Sequence, residues 1–457
     1  MRKFGVLDKI GYMFGDLGND FFFTFVSNYL MLFYTDVMGI GGAIVGIIFL
    51  VARIWDAIMD VSWGRFIDSR PNTKHGKFKP WMMRMAFPLV VFGVLMFVKI
   101  PGMSNKFYLI YAFATYILWG SLYSTVNIPY GSMASVITSD PVERASLSTF
   151  RSIGAAIAGL VISIVVPLGV FVNNRVDATR FSIIAVVFAI LALTCYSLCY
   201  FLTTERVNSI KAEGEKEAIY WKVTLAGLKR NKPLISLICA ALVLLISVML
   251  TGSMNAYIFK DYFHSTLGLT LAGVISTVCT IILAPFVSTI IKKYGKKESA
   301  VVSVSISSVM YLILGIVPIE NVYVFLFIMF IGQMGVGLFN ITIWAFVTDV
   351  IDYQEYLTDT REEGTIYSLY SFARKIGQAV AGGIGGLALT YLGYIEGAET
   401  QTVQVALNIK RFATLTPAVS YLIVVLILFF FYPLSKERLE KVMNDIKERR
   451  ALKAKNS

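Results

Sequence analysis

Ionisable residues inside apolar stretches are the first candidates for chemistry in this sequence. Asp16 and Asp20 fall in one such stretch, with Asn19 beside Asp20 and Phe21-Phe22-Phe23 following; Arg53, Asp56 and Asp60 fall in the next. A charge at the centre of a membrane helix costs about 2.5–3.5 kcal/mol on insertion scales, so it must be paired, hydrated or useful. Spacings of three and four put Arg53, Asp56 and Asp60 on one helical face, where Arg53 can neutralise one carboxylate and leave the other to hold a cation. That is the minimum for a coupling site. A purely structural Arg53–Asp56 ion pair is the alternative, whereas Asp60 has no comparably placed neighbour in the sequence.

A second group suits a polyhydroxylated ligand. Tyr123, Ser124 and Asn127 bring hydroxyls and an amide to one face, and Ile128-Pro129-Tyr130-Gly131 is expected to break the helix after them. Arg151 follows near the start of the next apolar stretch, and Tyr367, Tyr370, Ser371, Arg374, Lys375 and Gln378 form a late polar stripe within a glycine-rich helix. Paired donors and acceptors hold sugar hydroxyls, and aromatic faces cover the C–H side of the ring; Trp119, Tyr123 and Tyr370 are the candidate faces. Asp349, Asp352 and Arg361 read as an inward gate or loop brace, and Arg374 and Lys375 either snorkel, pair with Asp349 or Asp352, or serve the ligand. No Walker, HExxH or dinucleotide-binding pattern stands where it would matter, so no enzyme, hydrolytic engine or cofactor is expected.

The elements that position these residues are membrane helices. Of 457 residues 56% are hydrophobic and 15% charged, which excludes an ordinary aqueous globule. Twelve spans are expected, near 11–34, 41–64, 81–100, 107–129, 149–172, 181–203, 233–258, 268–291, 299–318, 323–347, 366–392 and 412–432, an all-α polytopic membrane protein of two six-helix bundles. With both termini in the cytoplasm, inward connections carry 31 Lys and Arg and outward ones 7, as the positive-inside rule requires. The net charge of +12 is therefore a topology signal directed at anionic lipid, and no nucleic acid is implied. Residues 1–203 and 233–434 form the two bundles around a ligand site, 204–232 the central cytoplasmic loop, and 435–457 a tail expected to lie on the inner membrane surface through Leu439, Val442 and Ile446. The four cysteines, Cys195, Cys199, Cys239 and Cys279, lie in apolar segments and read as packing residues.

Several ordered motifs carry a family resemblance. FYTDVMG (33–39), VARIWDAIMD (51–60), GRFIDSRPNTKHGKFKPW (64–81), VNIPYGSM (126–133) and the segment 349–383 resemble the glycoside–pentoside–hexuronide:cation symporters, a branch of the major facilitator fold. Within it, VNIPYGSM, YSLYSFARKIGQA and FYPLSKERLEKVMNDI look more like the glucuronide carriers than the melibiose permeases. The resemblance implies that Asp56 and Asp60 bind the coupling cation, with Ser124 where a threonine contributes. It also implies that Asp20, Tyr123, Asn127, Arg151 and Lys375 belong to the sugar site or its charge network. Asn19 replaces a lysine, Met59 an asparagine cation ligand, Asn127 a sugar-binding aspartate, and Gly131 and Asn340 replace tryptophans.

These departures have physical consequences. A thioether at Met59 removes one hard oxygen ligand from a Na⁺ shell, whereas H⁺ needs a single carboxylate, so H⁺ coupling is favoured and Asp56 and Asp60 bind metal only in the Na⁺ case. Asn127 removes a negative charge while Arg151, Arg374 and Lys375 stay positive, which suits an anionic sugar; the loss of a lysine at Asn19 works against it. The expected activity is import of a glycoside, a glucuronide first, by alternating access in a bacterial cytoplasmic membrane. The alternatives are a xyloside, β-glucoside or galactoside symporter and, in another class, a lysolipid carrier. The expected partners are the glycoside and the bilayer, with a cytoplasmic regulatory protein left open.

Overall fold

The computed structural model describes residues 2–68, 70, 73, 76–206, 231–358 and 363–456. Arg361, nearly all of the central loop and the side chain of Ser371 lie outside the described residues. Among the described residues twelve helices precede the tail: α1 (Val6–Leu32), α2 (Gly42–Asp68), α3 (Lys79–Leu95), α4 (Asn105–Ile137), α5 (Pro141–Val170), α6 (Ala178–Leu202), α7 (Lys232–Tyr257), α8 (Thr266–Tyr294), α9 (Lys296–Ile316), α10 (Val322–Thr358), α11 (Glu363–Tyr391) and α12 (Val403–Leu426). A tail helix, α13 (Lys436–Asn456), comes after them, and a two-stranded hairpin, β1 (Phe171–Val172) with β2 (Arg175–Val176), joins α5 to α6.

Among the described residues nine of these helices are long and apolar enough to cross a membrane. The other three have identifiable reasons to fall short. Helix α1 carries Asp8, Lys9, Asp16 and Asp20, α3 has 17 residues, and α11 holds the polar stripe. The polar groups of α1 do not need lipid, because Asp16 and Asn19 are buried where α1 packs against α5 and α6. Above them an aromatic cluster closes the core, with Phe25 stacked on Phe97 at 4.1 Å and Phe97 on Phe181 at 5.6 Å.

Two expectations about elements change. Helix α4 does not break at Pro129 but runs on to Ile137. Pro129 is buried, and a missing N–H within a packed membrane helix is tolerated because neighbours re-satisfy the freed group. The tail does not leave its apolar face to lipid: Val442 and Ile446 are buried, α13 packs on α9 and α10, and Arg449 donates to the Tyr356 carbonyl at 3.0 Å.

The helices gather into two compact units. One comprises Met1–Ala212, Gly252–Val274 and Gly382–Ile409; the other comprises Glu213–Thr251, Ile275–Ala381 and Lys410–Ser457. The expected division at the central loop is thus crossed by two segments of the second half. Inside the first unit, Gly42 and Gly46 of α2 meet Gly383 and Gly386 of α11 so closely that a Cβ on Gly386 would lie 2.2 Å from the Gly42 carbonyl oxygen. Small residues four apart permit this backbone contact, as in membrane helix pairs generally.

Candidate functional site

Helices α1 and α4 run antiparallel, and three contacts mark their register. Tyr12 stacks on Tyr130 at 4.6 Å, Asn19 Nδ2 donates to Asn127 Oδ1 at 3.4 Å, and Phe23 stacks on Tyr123 at 5.7 Å. Asp16, Asn19, Asp20 and Phe23 are spaced by three and four, so they share one stripe of α1 beside α4.

Arg151 of α5 reaches this stripe. Its Nε donates to Asp16 Oδ1 at 2.8 Å and its guanidinium lies 5.5 Å from the Tyr130 ring centre. Only Nε is engaged among the described residues, and the side chain is 44% exposed, which leaves both terminal nitrogens as open donors. Asn19 is buried and holds two bonds: its Oδ1 accepts from the Tyr196 hydroxyl at 2.9 Å while its Nδ2 faces Asn127. Asp20 and Asn127 are half-buried, and Asp20 makes no hydrogen bond or ion pair within the described residues.

On α2, Arg53 Nη1 lies 3.5 Å from Asp56 Oδ2, with its guanidinium 5.3 Å from the Phe23 ring centre. The other Asp56 oxygen presses on α4, where a Cβ on Gly120 would sit 2.2 Å from Oδ1. Ser124 is buried one turn further along α4, and Asp60 is half-buried one turn along α2. The structure therefore puts α2 carboxylates and the α1–α4 polar stripe in one unit, bridged by Arg53 and Phe23.

Trp119 needs correction as a sugar-facing surface. It is fully buried, stacked on Tyr116 at 6.0 Å and flanked by the tilted ring of Tyr123 at 5.4 Å, so it offers no exposed face. Tyr123 is the half-buried member of that ladder. Tyr370, Arg374 and Lys375 belong to the second unit, Tyr370 buried and the two cations half-buried. Asp349 and Asp352 lie on α10 itself rather than in a loop, and Asp349 takes a 2.6 Å salt bridge from Lys296 at the start of α9.

A buried charged cluster at the α1–α2 end of the first unit escaped the sequence reading. Helices α1 and α7 end in π-turns, Phe33–Val37 and Ile258–Tyr262, a geometry frequent at functional sites. Asp36 on the first pairs with Lys260 on the second; Lys260 also lies 3.4 Å from Asp261 and donates to the Tyr394 hydroxyl at 2.9 Å. Tyr394 in turn donates to Asp36 at 2.6 Å, and burial, with Asp36 beside it, holds that phenol well above its ordinary value, so it stays a donor. Thr35 and Tyr257 share a 2.9 Å hydroxyl contact, and Glu396 accepts from the Gly42 N–H at 2.9 Å. The sequence signal is Asp36 inside FYTDVMG; Lys260 stands two residues past the expected 233–258 span with no motif around it.

Comparison with known proteins places these features in context. The sequence profile of the MFS/sugar transport protein family matches residues 11–436. The protein named uncharacterized symporter YjmB of Bacillus subtilis (strain 168) is 34% identical over 98% of this chain and 96% of its own. The glucuronide carrier protein homolog of Escherichia coli (strain K12) is 33% identical over 96% of this chain and 95% of its own. The crystal structure of nucleoside transporter NupG superposes with a TM-score of 0.65 at 13% identity, over 94% of this chain and all of that one, a likeness of fold.

Proposed function

We propose, from the premise that this chain belongs to the MFS/sugar transport protein family, that it is a symporter taking up an acidic glycoside, a glucuronide first, with H⁺ in preference to Na⁺. Membership of that family makes it an integral membrane transporter and not an enzyme. The observation that carries the substrate is Arg151. Asp16 holds it by Nε alone, so the guanidinium is oriented while Nη1 and Nη2 remain to grip a carboxylate as a fork. Asn127 in place of an acidic residue removes one negative charge that would compete for that fork, leaving Asp20 on the α1 stripe as the remaining carboxylate without an ion pair among the described residues. A relative named as a glucuronide carrier homolog, matched over nearly its whole length, supports the same reading.

The coupling site in this reading is Asp56 with Asp60, and Ser124 beside them. Arg53 balances one charge on α2, so binding of one cation brings the local sum to neutral, and the loaded carrier then reorients more readily than a half-loaded one with buried charge uncompensated. Met59 offers sulfur where a Na⁺ shell wants oxygen, which favours the proton. Transport is by alternating access, with both termini in the cytoplasm and the Asp36–Lys260 cluster at the outer end.

Ligand-dependent thermal unfolding of the purified protein tests the substrate class. A ligand at about 100 times its Kd stabilises the folded state by about 2.7 kcal/mol. A phenyl glucuronide should raise Tm at concentrations where the matching glucoside does so weakly and lysophosphatidylcholine not at all. A rise with the lysolipid alone would overturn the sugar reading.

A further inference from the structure

The amide pair Asn19–Asn127 has a direction, and the residue that sets it lies on a third helix. Tyr196 of α6 is 1% exposed, so its hydroxyl proton must find an acceptor, and it donates to Asn19 Oδ1 at 2.9 Å. With that oxygen occupied, Asn19 turns its Nδ2 to α4, and Asn127 answers with Oδ1 at 3.4 Å. Asn127 then has its Nδ2 left over; the residue is half-buried, and that nitrogen has no partner among the described residues. The chain of donors runs one way: Tyr196 O–H to Asn19, Asn19 N–H to Asn127, Asn127 N–H outward. The sequence makes room for it at Gly18, where a Cβ would lie 3.2 Å from Tyr196 Cε1.

An isolated amide has no such preference, because rotating it by half a turn exchanges its oxygen for its nitrogen at little cost. We propose that Tyr196 is a positioning residue for substrate specificity: acting through Asn19, it fixes the Asn127 amide so that the site offers an N–H donor, beside the Arg151 fork, to an acidic substituent of the glycoside. This rests on the acidic-glycoside reading above. Without the hydroxyl, Asn19 and Asn127 can both turn over and present an oxygen, which repels a carboxylate and accepts from a neutral hydroxyl. Tyr196 never touches the substrate in this account; it decides which end of an amide does.

The test is uptake by proteoliposomes of phenyl glucuronide and phenyl glucoside, compared in the wild type, Tyr196→Phe, Asn127→Ala and the double variant. Tyr196→Phe should raise KM for the glucuronide about tenfold, the size of one hydrogen bond to a charged group, with Vmax kept and the glucoside changed little. In the Asn127→Ala background the same change should have no further effect on the glucuronide-to-glucoside ratio, which a merely structural role for Tyr196 would not produce. Equal losses for both sugars, or additive effects in the double variant, would overturn the relay while leaving the acidic-glycoside reading in place. A wild-type protein indifferent to the carboxylate would overturn that reading, and the relay with it.

Discussion

Asp56 has Arg53 against one oxygen and the bare backbone of Gly120 against the other, so its carboxylate is held on both sides. An added methyl at residue 120 would stand 2.2 Å from Oδ1, too near for any real contact, and the carboxylate must swing away. Gly120→Ala should therefore weaken the dependence of uptake on the driving cation, raising its half-saturating concentration roughly tenfold, a shift of about 1.4 kcal/mol. An unchanged cation dependence would show that this carboxylate takes no part. Asp60→Asn should abolish uphill accumulation and spare sugar exchange across the membrane; full accumulation in that variant would remove Asp60 from the coupling step. The spacing of Arg53, Asp56 and Asp60 was visible in the sequence because local helical geometry alone brings them together. The Asp16–Arg151 pair was not, since its members stand 135 residues apart and nothing local announces the contact.

At the scale of elements, the π-turns that end α1 and α7 bring charged side chains together inside the first unit. The side chains of Asp36, Lys260 and Asp261 are at most 6% exposed, two carboxylates around one ammonium. Removing Lys260 leaves two like charges without a counterion, whereas removing Asp36 leaves the 3.4 Å Lys260–Asp261 pair intact. Lys260→Met should then destabilise the protein by about 3–5 kcal/mol, the cost of stranding buried charge, and Asp36→Asn by clearly less. Thermal unfolding in detergent reads the order directly, and a larger loss in Asp36→Asn would contradict it. Among the described residues nine helices were legible from apolar length alone, whereas α1, α3 and α11 carry too much charge or too few residues for length and hydropathy to fix them. Helix ends were less so: α4 passes Pro129 and α10 runs on through Asp352, since packed neighbours and not the local sequence decide whether a polar turn stays helical. Trp119 failed as a sugar face for the same reason, its indole being enclosed by two tyrosines of its own helix.

For the whole molecule, the expected two bundles correspond only partly to the two compact units. Segments Gly252–Val274 and Gly382–Ile409 join the first unit through the glycine contact of α2 with α11 and the Asp36–Lys260 cluster. Hydropathy orders spans along the chain but carries no information on which span ends adhere across it, so this grouping depends on tertiary packing that no local pattern announces. The central claim, however, is the coupling of an acidic glycoside to a cation. Its most direct test is accumulation of radiolabelled phenyl glucuronide in proteoliposomes under an imposed inward pH gradient, an imposed inward Na⁺ gradient, or neither. The account predicts accumulation above the external concentration under the pH gradient, lost on adding a protonophore. Equilibration to the external concentration under all three conditions would contradict it.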